Sequence, residues 1–314
     1  MDFSLGEDRQ MLVDTLGRFL AGNFDWKTRE TVIETAEGWS RPVWAQLAEL
    51  GVIGALFDEA SGGFGGSAFD IGVVFAEVGK ALAVGPFLGT LLAGRALAAT
   101  GETALLEQAI AGEVTLSAAL DSDAAQGVAD GEGWALTGTQ PVVPFAASAD
   151  RIVVAARTGE GPSLFLIEKG APGIEIRDYP LIDGGAAGEL MLDGAAATLL
   201  GQAGAIIEEA VAAGLVALCW EAVAIMDSLK VQTLEYLRTR KQFGVAIGKF
   251  QALQHRMATL ALEIEQARSS AINAADRFAK GRLEREKAVS AAKFTIGRVG
   301  SLAAEEAIQM HGGI

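Results

Sequence analysis

The spacing of apolar residues changes period twice along this 314-residue chain, and that change constrains the fold more than any other feature. Up to about residue 112 apolar positions recur at helical intervals. Met11, Leu12, Leu16, Phe19 and Leu20 share one face, and Val43, Trp44, Leu47 and Leu50 repeat the pattern before Gly51. From about 114 to 200 the runs are short, alternate with period two and are bounded by turn residues, so 134–137, 151–155, 163–167, 173–177 and 189–192 read as strands. Helical spacing then returns. Leu253, Met257, Leu260, Ile264 and Ala267 mark a bundle seam, and a last helix from about Glu284 to Met310 carries Ala288, Ala291, Ala292, Thr295, Val299 and Leu302. Such small residues predict close packing against another helix, in this chain or a second subunit. Segregated helices and strands predict an α+β fold: an N-terminal helical domain (1–113), a central antiparallel β-barrel or sandwich (114–201) and a C-terminal helical bundle (202–314).

Charge and breakers narrow the function. A formal net charge of -15 argues against nucleic acid, whose phosphates need a basic face. The acidic start of the chain lacks the basic-then-apolar layout of a signal peptide, which predicts a cytoplasmic location. The apolar stretch from Val211 to Met226 is bracketed and interrupted by Glu208, Glu209 and Glu221, so it reads as a buried helix rather than a membrane span. Four glycines among residues 62–66 predict a flexible loop after Phe57, with a helix restarting near Ser67 or Ala68. The lone Cys219, among apolar neighbours, reads as a small buried hydrophobe. His255 and His311 make no metal spacing, and the tryptophans read mostly as core anchors.

The sharpest chemical signal is Tyr236-Leu237-Arg238-Thr239-Arg240-Lys241-Gln242-Phe243-Gly244, followed by Ile247-Gly248-Lys249-Phe250-Gln251-Ala252-Leu253-Gln254-His255. It reads as a helix end bearing cations, a glycine-hinged turn, and a helix start with free amide donors, an arrangement that suits a pyrophosphate. The plain alternative is that a basic last turn only complements the helix dipole. This string resembles the R-x-x-F-G and F-Q motifs of acyl-CoA dehydrogenases. The first five residues, the glycine loop at 58–66 and Gln309-Met310-His311-Gly312-Gly313-Ile314 are similar to further segments of that family, in the same order. The resemblance implies that Arg240 contacts the FAD pyrophosphate of a neighbouring subunit with Gln242, Phe243 and Gln251 nearby, and that Gln309, Gly312 and Gly313 line the adenine and pyrophosphate end. Their plain readings are a solvated helix end for Gln309 and a helix C-cap for the two glycines.

It also implies FAD-dependent α,β-dehydrogenation of an acyl-CoA thioester, a homotetramer or heterotetramer, and an electron-transfer flavoprotein as acceptor. The family's base is a glutamate that takes the α-proton while hydride leaves for the flavin, and it occupies one of two places. One lies about 26 residues before the motif arginine, where this chain has Gly214; the other lies beyond Ile314, where the bundle would continue. Glu208 and Glu209 read as dipole charges near a helix start, and Glu221, seven positions past Gly214, sits too far along the axis to substitute. Leu120-Asp121-Ser122-Asp123-Ala124-Ala125-Gln126-Gly127 and Val142-Val143-Pro144-Phe145 stand where catalytic members keep donors to the flavin ring, and Pro141 and Pro144 have no N–H to give. Three functions stay open: an active dehydrogenase; a non-catalytic subunit that lends Arg240 to a catalytic homologue in a mixed tetramer, as in some members acting on steroid or other bulky acyl thioesters; and a related flavin oxidase or monooxygenase.

Overall fold

A computed structural model describes residues 5–131 and 133–312. The leading helices are α1 (Glu7–Asn23), α2 (Trp26–Ile33), α3 (Arg41–Glu49), α4 (Ala68–Ala81), α5 (Phe87–Thr100) and α6 (Thr103–Ile110). Local chemistry sets their starts. Asp25 accepts from the amides of Lys27 and Thr28, and Ser67 and Asp70 form a reciprocal capping box at α4. The buried side of α1 is Leu16 and Leu20, whereas Met11 is 66% exposed because α1 packs chiefly on α4 and shows its other face to solvent. Leu50, also expected inside, caps α3 and is exposed.

The glycine loop is pinned rather than flexible. Gly65 N–H donates to Phe57 O (2.9 Å) and Gly66 N–H to Ala55 O (3.0 Å), and a Cβ at Gly63 would lie 2.2 Å from the Phe57 carbonyl oxygen. Those glycines are required because backbone packs directly on backbone there.

The middle strands are β1 (Leu116–Ala119), β2 (Ala125–Asp130), β3 (Gly133–Pro144), β4 (Arg151–Thr158), β5 (Gly161–Glu168), β6 (Ile174–Pro180) and β7 (Ala186–Gln202). Pairings run β4-β2-β3-β7-β5, and β5 pairs back onto β4, so five strands close a small barrel with β1 laid on β4 and β6 on β7. Closure leaves no free edge among the five barrel strands and encloses Leu136, Ile152, Val154, Phe165 and Leu190. The sheet is mixed rather than wholly antiparallel, since β1 and β2 both pair parallel to β4. The long β3 strand carries the chain back, so β4 starts from the same end as both. The β1 and β2 segments are rich in alanine and other residues with little strand preference, which hid them in the sequence.

The chain then forms α7 (Gly204–Thr239), the two-stranded hairpin β8 (Lys241–Gln242) and β9 (Val245–Ala246), α8 (Gln251–Arg277) and α9 (Arg282–His311). By length and composition α7 could cross a membrane, with a mean hydropathy of 1.8 over its most apolar window. In this fold it lies against α4, α5, α8 and α9 and buries Ala210, Ala212, Ala213, Gly214, Val216 and Ala217. The expected seam of α8 is inside at Met257, Leu260, Ile264 and Ala267. On α9, Ala288, Ala292 and Val299 are buried but Ala291 faces out. The helical and barrel regions are tied where Trp39 Nε1–H donates to Ser148 Oγ (2.9 Å) and Arg41 donates to Ser148 O (2.9 Å).

Candidate functional site

The basic string lies at the C-terminal end of α7. Arg240 terminates that helix: its N–H donates to Tyr236 O (2.8 Å), and its carbonyl accepts from Ile247 N–H (2.9 Å). The backbone of Arg240 is thus held from both sides while its guanidinium stays exposed. Phe243 and Gly244 make the hairpin turn with φ of 53° and 80°, the sign both central residues need to match the strand twist. Phe243 is 90% exposed, its ring edge-on to Phe250 at 6.2 Å. Among the described residues none of Arg238, Arg240, Lys241 or Lys249 forms an ion pair. Gln242 is exposed on β8, and Gln251 is exposed as the first residue of α8, whose N-terminus has no side-chain cap. Unpaired cations beside an uncapped helix start form the donor set a diphosphate needs, so these residues fit that part of FAD.

The C-terminal end of α9 comes to the same place. The His311 ring stacks on Tyr236 at 4.5 Å and 29°, and its Nδ1–H donates to Ala307 O (2.7 Å). Gln309 is exposed two residues before His311, and Gly312 caps α9 with φ 107°, a conformation that disfavours any side chain although no described atom beyond its chain neighbours would lie within 4 Å of a Cβ there. Tyr236, quoted in the motif but given no role by sequence reasoning, is thus a residue through which the two segments meet. Gly313 and Ile314 lie outside the described residues, as do the first four residues of the resemblance.

The expected position of the base is crowded by two leucine methyls. Gly214 is buried, and a Cβ there would lie 2.9 Å from Leu92 Cδ2 and 3.3 Å from Leu88 Cδ1 on α5. Glycine permits the two helices to approach, and no carboxylate could be housed at 214 without moving those leucines. Glu221 instead borders a cavity of about 260 Å³ between α4, α5, α7 and the barrel, walled by Phe75, Val78, Phe87, Phe145 and Leu218. It has no hydrogen-bond partner among the described side chains. Burial, and then the nearby charge of Asp183, push its carboxyl up to about 7. Arg29 lines the same cavity and donates to Leu82 O (2.8 Å) and to Asp183 O.

The barrel side of that cleft offers few free donors. Pro144 has no N–H, and its carbonyl accepts from Ser117 Oγ–H (2.5 Å). Phe145 is buried with φ 49°, and its ring helps wall the cavity. In the other expected donor stretch the Asp121 carbonyl accepts from Gln140 Nε2–H (2.7 Å), and Asp123 pairs with Arg157. Glu208 and Glu209 are not mere dipole charges. They lie beyond the first turn of α7 and clamp it sideways, Glu208 to Arg282 on α9 (2.5 Å) and Glu209 to Arg95 on α5. Cys219 is buried, and desolvation pushes its thiol up to about 11, as expected for an inert core residue.

A helical unit, a small closed barrel and a long-helix bundle, with a cationic turn between α7 and α8, define the three-part flavoprotein class that the motifs suggested. The chain matches the family descriptions "Acyl-CoA dehydrogenase, N-terminal domain" over residues 6–112 and "Acyl-CoA dehydrogenase, C-terminal domain" over residues 196–314. It belongs to the acyl-CoA dehydrogenase family. It is 28% identical to acyl-CoA dehydrogenase FadE27 of Mycobacterium tuberculosis, covering 100% of this chain and 89% of the relative. To acyl-CoA dehydrogenase IpdE2 of the same organism it is 30% identical, covering 98% and 86%. Among solved structures it superposes on a chain of the ChsE4-ChsE5 complex from Mycobacterium tuberculosis with a TM-score of 0.92 and 27% identity, covering 100% of this chain and 88% of that one. The corresponding values for a chain of the Tcur3481-Tcur3483 steroid ACAD are 0.89 and 29%, with 99% and 88% covered.

Proposed function

We propose that this chain is a subunit of an acyl-CoA dehydrogenase assembly that lends Arg240, with Gln242, Phe243, Gln251, Gln309, Gly312 and Gly313, to FAD held in a neighbouring catalytic subunit, and does not itself abstract the α-proton. The observation that carries this reading is a glycine at position 214, crowded by the Leu88 and Leu92 methyls, in a chain whose Arg240 turn remains exposed and unpaired. Similarity to a chain of the ChsE4-ChsE5 complex supports a mixed assembly. Arginine suits the role because its fork meets two phosphate oxygens at once. Bound FAD would supply the hydride acceptor, and this chain's residues would hold its diphosphate and adenine end.

The test is flavin content. The chain purified alone should hold less than one FAD per chain, and Arg240→Ala should lower the FAD occupancy of the assembled protein. Stoichiometric flavin in the lone chain, bleached by an acyl-CoA, would defeat the reading. A second reading, dehydrogenation by this chain itself, is favoured by one observation: Glu221 places an unpaired carboxyl beside an apolar cavity at the junction of all three parts. Bleaching that survives in wild type and vanishes in Glu221→Gln would establish it.

A further inference from the structure

We propose that the Tyr236–His311 stack is a positioning device that sets the register between Arg240 and the Gln309–Gly312 end of α9, so that one nucleotide meets both; this rests on the reading that Arg240 faces a neighbour's FAD. The diphosphate and adenine ends of a dinucleotide are covalently linked. Groups on two separate helices can grip both ends only if the helices are held at a fixed separation. Tyr236 provides that link from the α7 side. Its carbonyl accepts the Arg240 N–H at 2.8 Å, so the residue whose ring makes the stack is also the one that fixes the Arg240 backbone. His311 provides it from the α9 side, two residues after Gln309 and one before Gly312. Its Nδ1–H donates to Ala307 O at 2.7 Å, which ties the imidazole to its own helix axis and leaves the ring face for Tyr236 at 4.5 Å. Among the described residues no ion pair joins the last turn of α7 to the last turn of α9, and this stack is the one aromatic pair between the long C-terminal helices.

The test uses hydrogen exchange on the chain itself and FAD affinity in the flavin-loaded assembly. His311→Ala should speed amide exchange in the last turn of α9 and weaken FAD binding by about tenfold, the loss expected from one aromatic pair, with the mass of the assembly unchanged. His311→Phe and Tyr236→Phe keep both rings and should bring affinity back to within about twofold of wild type. Wild-type FAD affinity in His311→Ala, alongside flavin loss in Arg240→Ala, would overturn the positioning role while leaving the function above intact. A loss in His311→Ala that His311→Phe does not restore would overturn it as well. Unchanged FAD affinity in Arg240→Ala would instead remove the underlying reading, and the positioning role with it.

Discussion

Gly214→Ala tests whether α5 crowds the position where the family resemblance implies a base. In a helix interior the exchange should stabilise by about 1 kcal/mol, because glycine loses more backbone entropy than alanine. Here the new methyl would lie 2.9 Å from Leu92 Cδ2 and 3.3 Å from Leu88 Cδ1, inside the roughly 3.5–4.0 Å optimum for carbon contacts. Forcing a methyl into such a site costs about 1–3 kcal/mol, so the net change should run from neutral to a loss of about 2 kcal/mol. In a Leu92→Ala background the collision is relieved, and the same substitution should recover its gain of about 1 kcal/mol. Urea unfolding of wild type, the two single variants and the double variant then gives a coupling of about 1–3 kcal/mol. A coupling below about 0.5 kcal/mol would refute the argument, since it would mean that the wall at 214 is open. A functional arm follows from the same geometry: Gly214→Glu in the isolated chain should not confer bleaching of bound flavin by an acyl-CoA.

The folded Glu221 carboxyl binds its proton more tightly than the unfolded chain does, so stability should fall as pH rises from about 4.5 to about 7, and Glu221→Gln should flatten that slope in thermal melts taken across the window. Phe243 holds a left-handed backbone and is 90% exposed, so Phe243→Gly should leave the melting temperature of the isolated chain unchanged or raised, because about 1–2 kcal/mol of backbone strain is relieved with little burial lost. The same variant should weaken recovery of the multi-subunit assembly on size exclusion, and intact assembly would show that the ring faces no neighbour.

Much of the architecture was legible because periodicity is a local property. The helical stripe through Met257, Leu260 and Ile264, and the alternation in β6, follow from which side of an element must leave water, whereas β4 and β5 are buried on both faces and read as continuous apolar runs rather than alternating ones. Where the reading failed, packing partners outside the local window decided. Met11 and Leu50 continue a helical stripe yet face solvent, Met11 because α1 turns Leu16 and Leu20 rather than that side toward α4, and Leu50 because it caps α3. The glycine loop has the composition of a flexible linker, but its amides are taken by Phe57 and Ala55 carbonyls. Small residues in β1 and β2 carry little strand signal, and the barrel supplies the pairing that makes them strands.

For the candidate site, sequence alone determined the chemical inventory: guanidinium and ammonium groups at a helix end and a glycine-containing turn, with Gly214 standing where the family resemblance implies a carboxylate. The basic turn is a covalent fact about adjacent residues, and adjacency survives any folding. Only the tertiary structure decided that Leu88 and Leu92 close the space beside Gly214, that Glu221 borders a three-way cavity, and that Tyr236 meets His311. Each of those depends on how far apart two helices pack, and that distance is set by side chains distant in sequence rather than by either segment.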